Sequence, residues 1–167
     1  MSRYTTVVLD TGPLFSALAL EFIKHFPTRR NLVTQKYKLP SYLGDPTAEA
    51  AFGVLISNIK RLMITSHVIG ELRNRYRIPS EIHADFWKCA MRFFGEKEVD
   101  ERLITLLQIR DNEPMGFVVT IAGPIDAGLV TLAQKERCVL LTDDNRLLRW
   151  MDRSPDIELV ENVIAIR

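Results

Sequence analysis

Cysteine is almost absent from this 167-residue chain: only Cys89 and Cys138 occur, in segments of quite different character. Two thiols make neither a disulfide framework nor a four-ligand zinc site, so both are expected to be reduced packing residues in the interior. Histidine is nearly as scarce, at three residues. His67 stands one helical turn before Glu71 and imitates half of a zinc-protease motif, but the other half is missing. Long apolar runs are missing too. The longest, 14–20 and 117–122, are interrupted by Ser16 and Thr120 and fall far short of the ~20 residues that cross a bilayer. Residues 1–10 lack the apolar core and cleavage site of a signal peptide, so a cytoplasmic protein without a membrane partner is expected. The net charge is only +1. A field that weak cannot hold the molecule on nucleic acid, so a polyanion would have to meet a local patch.

What is present is an ordinary globular composition, 47% hydrophobic and 26% charged, without internal repeats or low-complexity tracts. The length suits a single domain, 1–167. Residues 4–9 are β-branched and aromatic and stop at Asp10-Thr-Gly-Pro13, which predicts a buried strand and a turn, with Pro13 in the first turn of a helix over 14–26. Residues 27–46 show no sustained period and read as a long functional or disordered loop. A helix is expected over 47–60 with Thr47 as its cap, then a strand over 61–65 and a helix capped by Ser66 that carries Glu71. The stop at Ile78-Pro-Ser80 introduces a helix over 81–94, and 99–110 reads as one more. Residues 116–122 are ambiguous between strand and loop. A helix begins near Pro124, a buried strand spans 138–142 and ends in Asp143-Asp-Asn145, and a last strand covers 157–160. Strands separated by helices predict an α/β three-layer sandwich, with a central, mostly parallel sheet and helices on both faces.

That order puts acids where open parallel sheets bind ligands, beyond the carboxyl ends of the strands. Asp10 follows the first strand, and Asp143 and Asp144 follow a later one. The structural alternative is that they cap helices. Glu71 lies beside the apolar face of its helix and has Arg75 one turn on as an alternative partner. Asp126 could be a first-turn acid favoured by the helix dipole.

The segments Val7-Val-Leu-Asp10-Thr-Gly-Pro-Leu14, Ile64-Thr-Ser-His-Val-Ile-Gly-Glu71, Ile125-Asp126-Ala-Gly-Leu-Val-Thr-Leu-Ala133 and Val139-Leu-Leu-Thr-Asp-Asp144 together resemble the PIN domain. That family comprises metal-dependent ribonucleases, including toxins of toxin–antitoxin pairs. The resemblance spans most of the chain, in the family's order. It implies that Asp10, Glu71, Asp126 and Asp144 form the catalytic set, with Asp143 as a neighbouring or substitute ligand. It further implies Mg²⁺ or Mn²⁺, a single-stranded RNA substrate cut to a 3′-hydroxyl and a 5′-phosphate, and as partners a small antitoxin protein and a second copy of the chain. The chain is longer than the compact toxins through 27–46 and 79–110.

Crowded carboxylates repel unless a cation neutralises them, and a hard divalent ion suits oxygen donors with no cysteine nearby. The hydroxyls of Thr11 and Thr142 could orient those carboxylates or a bound water, or simply satisfy a turn. Basic residues gather as Arg29, Arg30, Lys36 and Lys38 in the long loop and as Arg73, Arg75 and Arg77 after Glu71, where they could meet an RNA backbone or form a solvated face. Tyr37 and Tyr42 could stack on bases or anchor the loop. Two other readings compete. A haloacid-dehalogenase-like phosphatase also places an Asp after the first strand, but it needs a second acid where this chain has Gly12. A non-catalytic PIN-fold module that binds RNA or protein would keep the fold without the chemistry.

Overall fold

The computed structural model describes residues 4–34, 40–112, 119, 122–147 and 156–165, without the side chains of Ser41, Arg73 and Arg75. Five short strands form one all-parallel sheet: β1 (Thr6–Leu9), β2 (Arg61–Thr65), β3 (Glu98–Arg102), β4 (Val139–Thr142) and β5 (Ile157–Leu159), in the order β3-β2-β1-β4-β5. Val7 sits opposite Leu62 on one side and Val139 on the other. Val7, Val8, Leu9, Leu140 and Leu141 are fully buried, as expected for continuous apolar strands covered on both faces.

Around the sheet pack α1 (Thr11–His25), α2 (Arg30–Thr34), α3 (Pro46–Asn58), α4 (Ser66–Arg75), α5 (His83–Glu96), α6 (Leu106–Arg110), α7 (Pro124–Glu136) and α8 (Val160–Ala165). They form two groups. Helix α1 lies against α3, α4 and α5, while α7 lies against α6 and the central strands. The chain moves outward from β1 to β3 through the first group and returns from β3 to β4 through α6 and α7, so right-handed crossovers put the two groups on opposite faces. Phe15 is the hinge of the first group, stacked on Tyr76 at 3.7 Å between ring centroids and 6.0 Å from Phe86. None of the described helices is long and apolar enough to cross a membrane. Cys89 and Cys138 are buried and form no disulfide.

The structure corrects the sequence reading at several points. Residues 99–110 are not one helix. Glu98–Arg102 is the edge strand β3, paired in register along the whole of β2, and only Leu106–Arg110 is helical, behind a capping box of Thr105 and Gln108. An edge strand needs little apolar surface, and Asp100 there is held by Arg61 and Arg102. The stretch 27–46 is partly ordered, with 3₁₀ turns at Pro27–Arg29 and Ser41–Leu43 and helix α2 between them. Asp45, not Thr47, caps α3, accepting from the Ala48 amide at 2.7 Å, with Pro46 at the first helical position. Thr65 rather than Ser66 holds the cap position of α4, and its side chain makes no cap bond. The ambiguous stretch 116–122 lies outside the described residues except at Val119 and Ala122.

Candidate active site

The strand order reverses between β1 and β4: the chain leaves β1 toward β2 and leaves β4 toward β5. At such a switch point the connections diverge and leave a crevice beyond the carboxyl ends of the strands. Asp10 directly follows β1 and Asp143 and Asp144 directly follow β4, so the crevice opens between them. It is a cleft of about 440 Å³ whose walls include Asp10, Glu71, Asp126, Asp143 and Asp144. All five acids singled out in the sequence therefore line one cavity, supplied by two strand ends and by helices α4 and α7.

The carboxylates are held in place by short polar contacts. Asp10 is buried and caps α1: its Oδ1 accepts from the Thr11 amide at 2.6 Å, and its Oδ2 accepts from the Thr142 hydroxyl at 2.6 Å. The same Thr142 oxygen accepts from the Asp144 amide at 2.9 Å, which ties the ends of β1 and β4 together. Thr11 donates its hydroxyl to Glu71 Oε2 at 2.7 Å. Both threonines thus orient acids across the cleft. Asp143 turns to a different partner, accepting from the Tyr42 hydroxyl at 2.9 Å. Tyr42 is buried, with Ser16 as a second contact and Phe52 against its ring, so it anchors the loop and presents no face to a base. Gly12 packs beside this pair, and a Cβ there would lie 2.9 Å from Asp143 Oδ2. A side chain at the position that a phosphatase would fill with an acid would displace the Asp143 carboxylate.

Crowding shows in the titration behaviour. Burial pushes Asp126 up to about 7, helped by the charges of Asp10 and Asp144 and opposed by Arg146. Burial likewise raises Asp10; the hydrogen bonds from Thr142 and Thr11 pull it down, and Glu71 and Asp144 push it further up. Both shifts have burial as their largest cause, with neighbouring carboxylates adding to it.

One cation does enter. Arg146 Nε lies 2.8 Å from Asp144 Oδ2, its Nη2 contacts that oxygen as well, and the same Nη2 is 3.5 Å from Asp126 Oδ2. The sequence reading missed Arg146, although a cation two residues beyond Asp144 was visible. It also missed Pro40, Tyr76 and Glu161, which complete the cleft wall from segments far apart in the chain.

The other basic residues fall elsewhere. Arg29 pairs with Asp85 at 2.8 Å. Arg30 grips Glu49 with both terminal nitrogens and donates to the Leu43 carbonyl, which ties the loop to α3. Lys36, Tyr37 and Lys38 lie outside the described residues, as do the side chains of Arg73 and Arg75. Arg77 lines a cavity of about 420 Å³ with Ile78, His83 and Trp87, and Tyr76 is a wall common to this cavity and the acid cleft. His67 lies on the wall of a separate, mostly apolar cavity with Ile104 and Pro124. A larger cavity of about 600 Å³ between α1, α3 and α5 has paired charges: Glu49 with Arg30, Glu21 with His25, and Lys97 on the Ile56 and Ile59 carbonyls. It is a helix-packing groove, whereas the smaller cleft gathers the five acids.

The donor set suits a hard cation, because the acids, Thr11 and Thr142 offer only oxygen. The guanidinium of Arg146 lies between two of those acids, Asp126 and Asp144. Among the described residues, no three His, Cys, Asp or Glu side chains already form a group that could hold an ion. The acids are gathered around the cleft without yet forming a cage. No protein-family model matches the chain, and no curated protein matches it.

Proposed function

We propose that this protein is a divalent-metal-dependent endoribonuclease of the PIN-like kind, acting on single-stranded RNA. The observation that carries the reading is the convergence of Asp10, Glu71, Asp126, Asp143 and Asp144 on one cleft at the sheet's switch point. Burial and the charges of Asp10 and Asp144 raise the Asp126 carboxyl to about 7, a crowding that a bound cation would relieve. Mg²⁺ or Mn²⁺, when bound, supplies a water of lowered pKa and screens the charge that develops on phosphorus. Asp10, Glu71, Asp126 and Asp144 would hold it, with Asp143 in reserve behind its bond from Tyr42.

The remaining work belongs to the chain's own groups. Thr142 and Thr11 hold the Asp10 and Glu71 carboxylates in fixed rotamers, so little reorganisation is needed when substrate arrives. Water attacks phosphorus, the bond from phosphorus to the 3′-oxygen breaks, and that oxygen takes a proton. The products are a 3′-hydroxyl and a 5′-phosphate. Beyond the Tyr76 wall, Arg77 and Trp87 offer a charge and a half-buried ring to the next part of the strand, which suits an unpaired polynucleotide. A toxin role, with a small antitoxin as partner, is the narrower form of the same proposal.

The test is cleavage of an end-labelled single-stranded RNA. Cleavage should need Mg²⁺ or Mn²⁺, stop with EDTA, and be lost in Asp10→Asn while His67→Ala keeps most of it. Cleavage that survives EDTA would refute the metal reading; a chain that binds RNA without cutting it would be the non-catalytic module.

A further inference from the structure

Arg146 is an unusual occupant of such a cleft because it is so loosely seated. Its side chain is 62% exposed, whereas those of Asp126 and Asp144 are 13% and 22% exposed. It grips Asp144 through Nε and Nη2 and, through its own amide, the Asp144 Oδ1 at 2.8 Å, but reaches Asp126 only at 3.5 Å. The guanidinium therefore spans two acids that a divalent ion would need, held firmly by one and weakly by the other.

We infer that Arg146 is a built-in competitor for the divalent ion. It holds Asp126 and Asp144 together when no ion is bound, and it must swing out before one can enter. The inference rests on the proposed metal site and adds a device that sets its threshold. A guanidinium and a divalent ion cannot share the same carboxylate oxygens, since like charges a few ångströms apart repel strongly. Expelling Arg146 is nevertheless cheap, because its head is already mostly in water and exposed ion pairs are weak. The apparent affinity for metal is then reduced by the fraction of molecules in which Arg146 is out. At low divalent concentration the acids keep their own counter-charge; at higher concentration the ion replaces it.

The experiment is a calorimetric Mn²⁺ titration of the full chain as wild type, R146M and R146K, with thermal melts with and without Mn²⁺. R146M keeps the aliphatic stem and removes the charge, and should bind Mn²⁺ roughly two- to five-fold more tightly than wild type. It should also melt lower than wild type without metal and gain more on adding it. R146K keeps a charge without the fork and should fall between the two, which guards against a folding defect in R146M. Equal or weaker Mn²⁺ binding by R146M, with the wild type still binding, would overturn the role of Arg146 and leave the metal site standing. No Mn²⁺ binding by either protein would overturn both.

Discussion

At the β3 edge of the sheet Asp100 accepts from Arg61 at 2.5 Å and from Arg102 at 2.8 Å; at the switch point Asp126 has one guanidinium 3.5 Å away and carboxylates for its other neighbours. Two aspartates on one small fold are shifted in opposite directions. Burial opposes ionisation at Asp100, but the two arginines outweigh it and hold the carboxyl below its usual range. At Asp126 burial and neighbouring acids win, and the carboxyl rises to about 7. The edge uses charge to close a structure, with Glu98 and Asp100 both paired with arginines. The cleft crowds carboxylates together so that Asp126 is raised, a pattern more typical of sites that bind something.

The sharpest way to break this comparison is to neutralise each aspartate. Asp126→Asn should reduce RNA cleavage by on the order of a hundredfold or more, because it removes a carboxylate that holds the ion. Asp100→Asn should leave cleavage near wild type. Asp126 is the cleaner target than Asp10, since an amide at position 10 would face the Thr142 hydroxyl that donates to Asp10 Oδ2. If both variants cleave equally, the two regions do not differ in function.

Metal should next separate the regions by stability. A ligand bound only by the folded state stabilises it by about 2.7 kcal/mol at a hundred times its dissociation constant. Melts of wild type and Asp100→Asn should therefore rise with Mn²⁺, and those of Asp10→Asn should not. An unchanged wild-type midpoint in millimolar Mn²⁺ would mean that the cleft takes no ion.

Without metal, pH gives the same contrast with its signs reversed. Asp126 is raised in the fold, so between about pH 4 and 7 the folded state holds a proton that the unfolded chain has released, and stability falls as pH rises. The melting advantage of Asp126→Asn over wild type should grow across that window and level off above it. Asp100 is lowered, so its contribution is present above its unfolded value of 3.8 and is lost only on acidification through its folded value. Asp100→Asn should lower the melting temperature at pH 7 by roughly 2–4 °C, about what one lost ion pair costs at this size. A fall in the Asp126→Asn advantage between pH 5 and 7 would contradict the assigned shift.

The difference between edge and cleft also explains what could be read without coordinates. Asp10, Asp143 and Asp144 were legible because apolar, β-branched runs end in them, and a run ending in an acid is a local signal. A mostly parallel sheet followed from the alternation of such runs with helical stretches, and the structure makes it wholly parallel. β3 was not legible: Val99, Leu103, Ile104 and Leu107 suggest a helical face, and its strand character comes from pairing with β2 and from arginines on either side. The partnership of Tyr42 with Asp143 joins residues about a hundred positions apart, so composition could not separate an anchor from a stacking platform. Arg146 was in plain view, but only the approach of α7 to the end of β4 shows that it reaches Asp126 as well as Asp144.

The smallest expected effects come from the basic residues, and they separate arginines used up by the fold from those left for a ligand. Arg29 is paired with Asp85, both partners are substantially exposed, and neither lines the acid cleft. Arg29→Ala should cost only about 0.2–1 kcal/mol of stability. It should leave the salt dependence of RNA binding unchanged, because a guanidinium that already has a carboxylate releases no counterions from a phosphate. Arg77 is exposed in the cavity beyond Tyr76, and Arg77→Ala should weaken RNA binding modestly and lower the slope of log affinity against log salt by about 0.7, the loss of one contact to a single strand. Both slopes come from fluorescence-anisotropy titrations with a cleavage-deficient background such as Asp126→Asn. If Arg29→Ala lowers the slope and Arg77→Ala does not, the strand runs along the loop and not past Tyr76, and the basic residues of 27–46 are the RNA contacts after all.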